Sequence, residues 1–412
     1  MKKNSRRITL IAVLVIALLA AVFGVIKMHD AWTGTNADTS TKTVSGQTDT
    51  EKEENADGNE EDEKSEPLAT VFFASDYQEE PGFDSPADTL KGLLRAAKKD
   101  GKVIDRIVIC GDYTNDAVLH DYQLSPDDVI EEIKAIAAEE FPGIDDGDMI
   151  FVQGNHDKMT EQITESGLHD EGEYLVYVLN TEEDFPWKQG KKSGCLAKIT
   201  AASEDMKECF DKLIQNGETR PVFIAGHVPL HFTARTSSRH STGDNLYSSL
   251  IFDVVNEAAN DLDIIYMFGH NHSKGWDCYM GGSSVFKTPG DTILIPEFNE
   301  YKVDTDTYTE ETLRFTYMNA GYAGYYMNCA PAEYDENDPD SYAAADMALT
   351  GTVCEIYEDR VVITRYDRNG RHVLGHEGEG DPYKGGIDEG LIPAANYSGE
   401  TQSPQIIPLK KR

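Results

Sequence analysis

Basic residues are scarce in this sequence. Of its 412 residues, 37 are Lys or Arg and 74 are Asp or Glu, so the formal net charge is −37 with His neutral. A chain this acidic repels the phosphate backbone and lacks the basic face that general nucleic-acid binders use. We therefore expect no nucleic-acid partner, and instead expect small or cationic partners, or bound cations.

Cysteine is also sparse, and no two cysteines stand in a CxxC pair. The six cysteines have no zinc-finger spacing either. This excludes a dense disulfide framework and a structural zinc site. Hydrophobic residues make up 39% of the chain and charged residues 27%, which is ordinary for a globular protein. Collagen-like, coiled-coil and wholly disordered chains are therefore excluded.

One long apolar run stands near the start of the chain. Residues 8–26 are 19 uncharged residues, which as a helix would span about 28 Å, close to the roughly 30 Å of a bilayer core. Lys2, Lys3, Arg6 and Arg7 precede the run, and the positive-inside bias keeps such a cluster in the cytoplasm. Residues 1–30 are thus predicted to be a cytoplasmic basic tip and a signal-anchor transmembrane helix.

This anchor would make the protein a single-pass protein of the cell membrane, with the rest of the chain extracytoplasmic. The alternative is a cleaved signal peptide and a secreted protein, although the apolar run is long for a signal peptide and its cleavage site is poor. Both interpretations export the body of the protein.

Composition divides the remaining chain into three parts. Residues 31–67 are rich in Thr, Ser, Asn, Gly, Asp and Glu, with eleven acids against three lysines, and are predicted to be a disordered acidic linker. Residues 68–375 are predicted to form one folded domain. Residues 376–412 form a tail rich in Gly, Asp and Pro.

Within the predicted domain, short apolar runs alternate with amphipathic helices. This alternation predicts an α/β layered fold. Past residue 292 the pattern becomes Tyr-rich and predicts further strands, of antiparallel type. The predicted strands of the first part are 68–75, 105–110, 148–153, 221–226 and 264–269, and the predicted helices are 85–99, 125–141, 203–215 and 245–260.

Polar side chains of metal-ligating types follow each of these five strands. In open α/β sheets, ligands bind outside the carboxyl ends of the strands. Imidazole mixed with oxygen donors suits first-row divalent cations. The pattern therefore predicts a metal site at this edge. The residues are Asp76, Gln78, Asp112, Asn155, His156, Asp157, His227, His270 and His272.

The ordered motifs D-x-Q, GD, GNHD, GH and GHNH resemble those of the calcineurin-like metallophosphoesterase superfamily, over about residues 70–275. The resemblance implies a two-sheet αββα sandwich. It also implies a centre of two divalent metal ions, Mn, Fe, Zn, Mg or Co, that hydrolyses phosphate monoesters or diesters with a bridging water as nucleophile. One metal would take Asp76, Gln78, Asp112 and His272, and the other Asp112, Asn155, His227 and His270.

Further roles follow from the same resemblance. His156 would face the substrate as general acid or as stabiliser of the leaving oxygen, which suits an imidazole pKa near neutrality. Asp157 would hold a loop or a ligand in place.

The sequence departs from the usual pattern of this superfamily at two positions. Gln78 stands where the first motif usually has histidine, which weakens the first metal site and favours Mn or Mg. A second position, usually acidic, is Asn115, and the acid is Asp116 instead. A rival interpretation is therefore a catalytically degenerate metal-binding module on the cell surface, for example in adhesion.

A long polar loop after His227 supplies candidate substrate contacts. His231, Arg235 and Arg239 lie in it, and an arginine fork is suited to phosphate oxygens. A solvated surface loop explains the same residues equally well. The expected partner is a small phosphate ester, and the sequence leaves open a nucleotidase or a phospholipid or cell-wall phosphodiesterase.

Overall fold

Two mixed β-sheets carry the fold of this protein in a computed structural model. Residues Lys64–Arg412 form one compact unit, and Met1–Glu63 lies outside the described part. The structure describes residues 65–79, 86–114, 125–182, 195–230, 248–270, 286–299, 302–324, 349–367 and 404–410. Within these ranges no helix is both long enough and apolar enough to span a bilayer. The predicted anchor and nearly all of the predicted linker lie outside them.

Among the described residues, the first sheet has seven strands. They are β1 (Ala69–Ala74), β2 (Arg106–Ile109), β3 (Met149–Phe151), β12 (Gly321–Tyr322), β13 (Thr350–Ile356), β14 (Arg360–Asp367) and β15 (Gln405–Pro408). The strand order is β15-β14-β13-β1-β2-β3, and β12 also pairs with β13. β1, β2 and β3 are parallel neighbours, whereas β13 is antiparallel to both β1 and β14.

The second sheet has six strands. They are β4 (Gly167–Asp170), β5 (Leu175–Leu179), β6 (Val222–Gly226), β7 (Ile264–Phe268), β8 (Phe286–Lys287) and β11 (Thr316–Asn319). The order is β4-β5-β6-β7-β11-β8, with β5, β6, β7 and β11 parallel. The strands β9 (Thr292–Asn299) and β10 (Lys302–Thr312) pair separately as an antiparallel hairpin.

In the part of the chain that the structure describes, four α-helices cover the sheets. They are α1 (Ala87–Lys99), α2 (Pro126–Glu140), α3 (Leu196–Asn216) and α4 (Ser248–Ala258). α2 begins where the sequence predicts, because the Ser125 hydroxyl accepts from Asp127 N and the Asp128 carboxylate accepts from Ser125 N. α3 ends at Gly217, whose left-handed conformation terminates the helix.

One part of the hydrophobic core lies between the two sheets, and the rest lies between each sheet and the helices that cover it. Phe73 of β1 meets Phe223 of β6 between the sheets, with ring centroids 5.2 Å apart. The opposite face of the first sheet buries Phe72 with side chains of α1 and α2 such as Leu93 and Ile130. On the far face of the second sheet, the Tyr177 hydroxyl donates to Asp205 of α3 at 2.8 Å. These layers are consistent with the predicted αββα sandwich.

The structure extends the prediction from sequence and corrects it in places. The five predicted strands are present, but α3 begins at Leu196 rather than near Ser203. The expectation that the later strands are antiparallel holds for β11 against β8 but is wrong for β11 against β7, because on that side β11 extends the row of parallel strands β5, β6 and β7. β15 pairs with β14, so the first sheet includes residues beyond 375, where the sequence predicts the end of the domain.

Candidate metal centre

The loops that follow β1, β2, β3, β6 and β7 meet at one edge of the molecule. The strands of each sheet that carry these loops run parallel, so their carboxyl ends share that edge. The structure thereby brings together six of the candidate metal ligands that the sequence places after five separate strands. All six are at most 6% exposed: Asp76, Gln78, Asp112, Asn155, His227 and His270.

Four of these residues have a left-handed backbone. Asp76, Gln78, Asp112 and His270 have φ values of 55°, 51°, 59° and 70°, and they are the non-glycine residues with positive φ in the described ranges. Each such conformation costs of order 1–3 kcal/mol, and strain of this kind clusters at functional sites. Its confinement to this edge indicates that the fold holds these side chains in place at the expense of stability.

The donor atoms of four loops converge within hydrogen-bonding distance. His227 Nε2 lies 3.2 Å from Asp112 Oδ2 and 3.0 Å from Asn155 Oδ1. The same Asn155 Oδ1 lies 2.7 Å from His270 Nδ1. One ligand atom each of Asp112, His227 and His270 can be chosen with all three within 4.8 Å of one another. Two imidazoles, a carboxylate and an amide oxygen form a donor set that fits a first-row divalent cation.

The orientation of His227 is fixed by a backbone carbonyl. Its Nδ1 lies 2.7 Å from the carbonyl oxygen of Cys110, and a carbonyl can only accept, so Nδ1 carries the proton. The Ser75 hydroxyl donates to the same carbonyl at 2.8 Å. Nε2 therefore points toward Asp112 and Asn155 with a lone pair that can bind a cation, an arrangement typical of metal-binding histidines.

Asp157 holds the loop that carries Asp112. Its carboxylate accepts three backbone N–H groups, those of Asp112 at 2.9 Å, Tyr113 at 3.1 Å and Gly154 at 2.8 Å. These bonds tie the β2 loop to the β3 loop. Burial and the charge of Asp112 raise the pKa of Asp157, and the backbone hydrogen bonds oppose that rise.

Asp112 and His227 lie side by side and are both buried. Burial disfavours ionisation of Asp112, but the positive charges of His227 and His156 hold the pKa of the carboxyl well below its usual range. Burial likewise lowers the pKa of His227, and the carboxylate of Asp112 raises it to about 10. The electrostatic environment at this position thus favours positive charge.

Two glycines allow the loops to approach so closely. A Cβ at Gly154 would overlap the Asp112 carboxylate and backbone, and a Cβ at Gly269 would overlap the Ser75 hydroxyl. The Gly of GNHD and the Gly of GHNH are therefore required by the contact between neighbouring loops.

The remaining predicted residues are described in part. Asp76 accepts the His270 N–H at 2.9 and 3.1 Å, and Gln78 Nε2 lies 3.5 Å from Asp112 Oδ2. His156 is half-buried, and its backbone N–H donates to Asp112 Oδ1 at 2.9 Å. Five predicted residues lie outside the described ranges: His272, Asp116, His231, Arg235 and Arg239.

Sequence reasoning missed three buried polar residues at the same edge. β5, β11 and β14 also end there, and Asn180, Asn319 and Arg365 lie close to their carboxyl ends. Asn180 Oδ1 accepts the N–H of Gln153 at 2.8 Å, next to the GNHD loop. A polar residue at a strand end was the available signal, but the registers that bring these strands to the edge could not be derived from the sequence.

A model of the calcineurin-like phosphoesterase family matches residues 69–274, which is half of the chain. The chain belongs to the calcineurin-like phosphoesterase family. This confirms the resemblance inferred from the ordered motifs. A search of curated proteins finds no significant match for this phosphoesterase.

Solved structures similar to this phosphoesterase include three with low identity. A purple acid phosphatase from yellow lupin (Lupinus luteus) seeds is 12% identical with a TM-score of 0.40, over 75% of this chain and 53% of that chain. A putative 5′-nucleotidase from Staphylococcus aureus is 11% identical with a TM-score of 0.30, over 68% and 58%. The NAD nucleotidase of Haemophilus influenzae is 10% identical with a TM-score of 0.33, over 75% and 49%. The match thus spans only about half of each of these proteins.

Proposed function

We propose that this protein hydrolyses phosphate esters with a centre of two divalent cations. The observation that carries the proposal is the convergence of four side chains at the edge where the strands of both sheets end. Polar atoms of Asp112, Asn155, His227 and His270 lie 2.7, 3.0 and 3.2 Å apart in three contacts. Family membership supports the same reaction class. The proposed substrate is a small phosphate monoester or diester.

The proposed ligands fall into two sets, one for each cation. Asp112, Asn155, His227 and His270 would hold one cation, and Asp76, Gln78 and Asp112 the other, with His272 as its remaining proposed ligand. Bound there, the pair would activate a water for attack on phosphorus and offset the charge developing on the phosphoryl oxygens. Asp157 keeps Asp112 in place between the two sets of ligands.

His156 is the proposed general acid. Its backbone N–H donates to Asp112 Oδ1. Its side chain is half-buried, and the residue directly follows the proposed ligand Asn155. An imidazole in this position can donate a proton to the leaving oxygen. Replacing it should lower kcat more for substrates with poor leaving groups, because these need the proton most.

The test is turnover of p-nitrophenyl phosphate and bis-p-nitrophenyl phosphate by the full chain with added Mn²⁺. Asp112→Asn and Asn155→Ala should each reduce metal-dependent turnover by at least about 100-fold, since each removes a donor of the cation. Asn260→Ala is the matched control, because Asn260 is exposed and bonds only locally to Glu257 O in the described contacts. Unchanged turnover in either site variant would refute the proposal.

A second candidate function is a metal-binding surface module without turnover. Gln78 is the observation that favours it, because its side-chain amide nitrogen lies 3.5 Å from Asp112 Oδ2, and a Gln amide is a weaker ligand than imidazole. Such a module would bind one cation per chain and release no product from either ester.

The proposal also includes a place in the cell. We propose that residues 1–30 anchor the chain in the membrane and that the phosphoesterase domain faces outward, on the strength of the apolar run and its basic flank. Protease added to intact cells should then remove the domain. Full protection of the domain, with cleavage only after lysis, would contradict this topology.

A further inference from the structure

A buried arginine lies between the two sheets, level with the end of β1. β14 runs parallel to β1, because each is antiparallel to β13. Thr352 of β13 pairs with Phe73 on one side and with Arg365 on the other. Cross-strand neighbours share a face, so Arg365 projects from the same face as Phe73, toward the second sheet. Its side chain is fully buried.

The guanidinium reaches the second sheet at the end of β11. Arg365 Nη2 donates to the backbone carbonyl of Asn319 and, at 3.2 Å, to Asn319 Oδ1. Arg365 Nε donates to the Thr352 hydroxyl at 3.2 Å. Asn319 Oδ1 also accepts the Gly321 N–H at 2.9 Å, which turns the chain immediately after the strand. A planar guanidinium fixes such partners in a defined geometry.

The segment that begins at Asn319 bonds to the backbone close to a proposed ligand of each cation. Ala320 N donates to the Phe268 carbonyl at 2.7 Å, two residues before His270. Ala323 N donates to the Ser75 carbonyl at 2.9 Å, directly before Asp76. Residues 319–323 therefore cross from the second sheet to the first, and bond to the end of β7 and to the loop after β1.

We propose that Arg365 and Asn319 form a clamp that sets the separation between the Asp76 loop and the His270 loop. The inference rests on the proposed function, because it assigns the clamp the task of positioning metal ligands. Arg365 is a positioning residue: it acts through Asn319 and the segment 319–323, and touches neither substrate nor cation. The clamp explains why a costly buried charge lies at this edge of the fold.

The test compares Arg365→Lys with Tyr366→Phe in the full chain. Lysine keeps the charge but loses the fork, so the two bonds to Asn319 and the bond to Thr352 cannot all be kept. Tyr366 is the matched control, because it neighbours Arg365 on β14, is packed in the core of the opposite face, and donates to Asp100 at 2.6 Å. Asn319→Ala is the milder second variant, which removes one acceptor and keeps the carbonyl.

The readouts are Mn²⁺ binding by isothermal titration calorimetry and steady-state kinetics, with urea unfolding of the metal-free protein alongside. Arg365→Lys should weaken Mn²⁺ affinity at least about tenfold and lower kcat by a similar factor, with KM changed less than about threefold. Asn319→Ala should shift Mn²⁺ affinity in the same direction by a smaller factor. Tyr366→Phe should lose stability but leave Mn²⁺ affinity within about twofold of the unsubstituted protein.

The outcomes separate the clamp from the proposed function. If the unsubstituted chain binds Mn²⁺ and turns over but Arg365→Lys and Asn319→Ala bind Mn²⁺ as Tyr366→Phe does, the clamp is wrong and the function stands. If the unsubstituted chain neither binds Mn²⁺ nor hydrolyses ester, the function fails and the clamp with it. Should Arg365→Lys fail to fold, Asn319→Ala decides alone.

Discussion

Asp157 ties the loop after β2 to the loop after β3. One carboxylate satisfies three buried backbone N–H groups, and two of these, at Asp112 and Gly154, belong to loops that both reach the site. Because these bonds hold the backbone of Asp112, Asp157 fixes the position of the Asp112 carboxylate.

Asp157→Asn should therefore destabilise the fold more than a surface substitution. The amide would place an N–H group opposite one of the backbone N–H donors, and a buried donor left without an acceptor costs about 1–3 kcal/mol. Urea unfolding of the metal-free chain measures the loss. Asp211→Asn, at an exposed pair with Lys207, should lie within error of the unsubstituted protein. Equal midpoints for the two variants would contradict the assigned role of Asp157.

At the scale of single residues, the convergence of four candidate ligands could be predicted from the sequence because their motifs are local. Asp112, Asn155, His227 and His270 each follow an apolar run, and the structure places all four within contact. Arg365 could not be found in this way. It lies inside the run RVVITRY, and its importance depends on a register with Thr352 and on Asn319, 46 residues earlier in the chain.

Among the elements, strands with continuous apolar runs were predictable and strands that depend on distant partners were not. β1 and β7 are apolar and fully buried, so hydrophobicity alone marks them. β15 is short and alternates between partly buried and exposed positions. It exists because β14 offers an edge, and Lys410 beyond it donates to the Ala259 and Leu262 carbonyls at the end of α4.

Glu218 anchors the turn between α3 and β6. Its carboxylate accepts from the Arg220 guanidinium at 2.8 and 3.0 Å and from the Arg220 and Thr219 N–H groups. The hydrogen bond from the Arg220 side chain lowers the pKa of Glu218 to about 2. Because the folded pKa lies below the ordinary value of 4.5, this stabilisation is present above about pH 4.5 and is lost as pH falls through about 2.

Glu218→Gln should accordingly lower the free energy of unfolding by about 1–2 kcal/mol at pH 7, after allowance for partial solvent screening. The difference from the unsubstituted protein should shrink steadily below pH 4.5 and vanish near pH 2. Glu208→Gln, at an exposed i,i+4 pair with Lys212, is the control and should show no difference at any pH. A pH-independent loss in Glu218→Gln would show that the carboxylate charge is not what stabilises the turn.

For the whole molecule, the excess of 37 negative charges determines how an anionic substrate approaches. Phosphate esters must cross a repulsive field before they reach the proposed cations, and salt screens that field. We expect kcat/KM for p-nitrophenyl phosphate to rise about twofold between 20 and 200 mM NaCl, and less for the singly charged diester. A fall in kcat/KM over that range would contradict this account of the field.

The central claim is that the edge shared by the two sheets holds a working metal pair. Elemental analysis of the purified full chain, paired with p-nitrophenyl phosphate turnover on the same sample, tests it most directly. We predict two equivalents of Mn, Fe or Zn per chain, and loss of both metal and turnover in Asn155→Ala. One equivalent or none, with no turnover in the unsubstituted protein, would contradict the claim and favour the binding module.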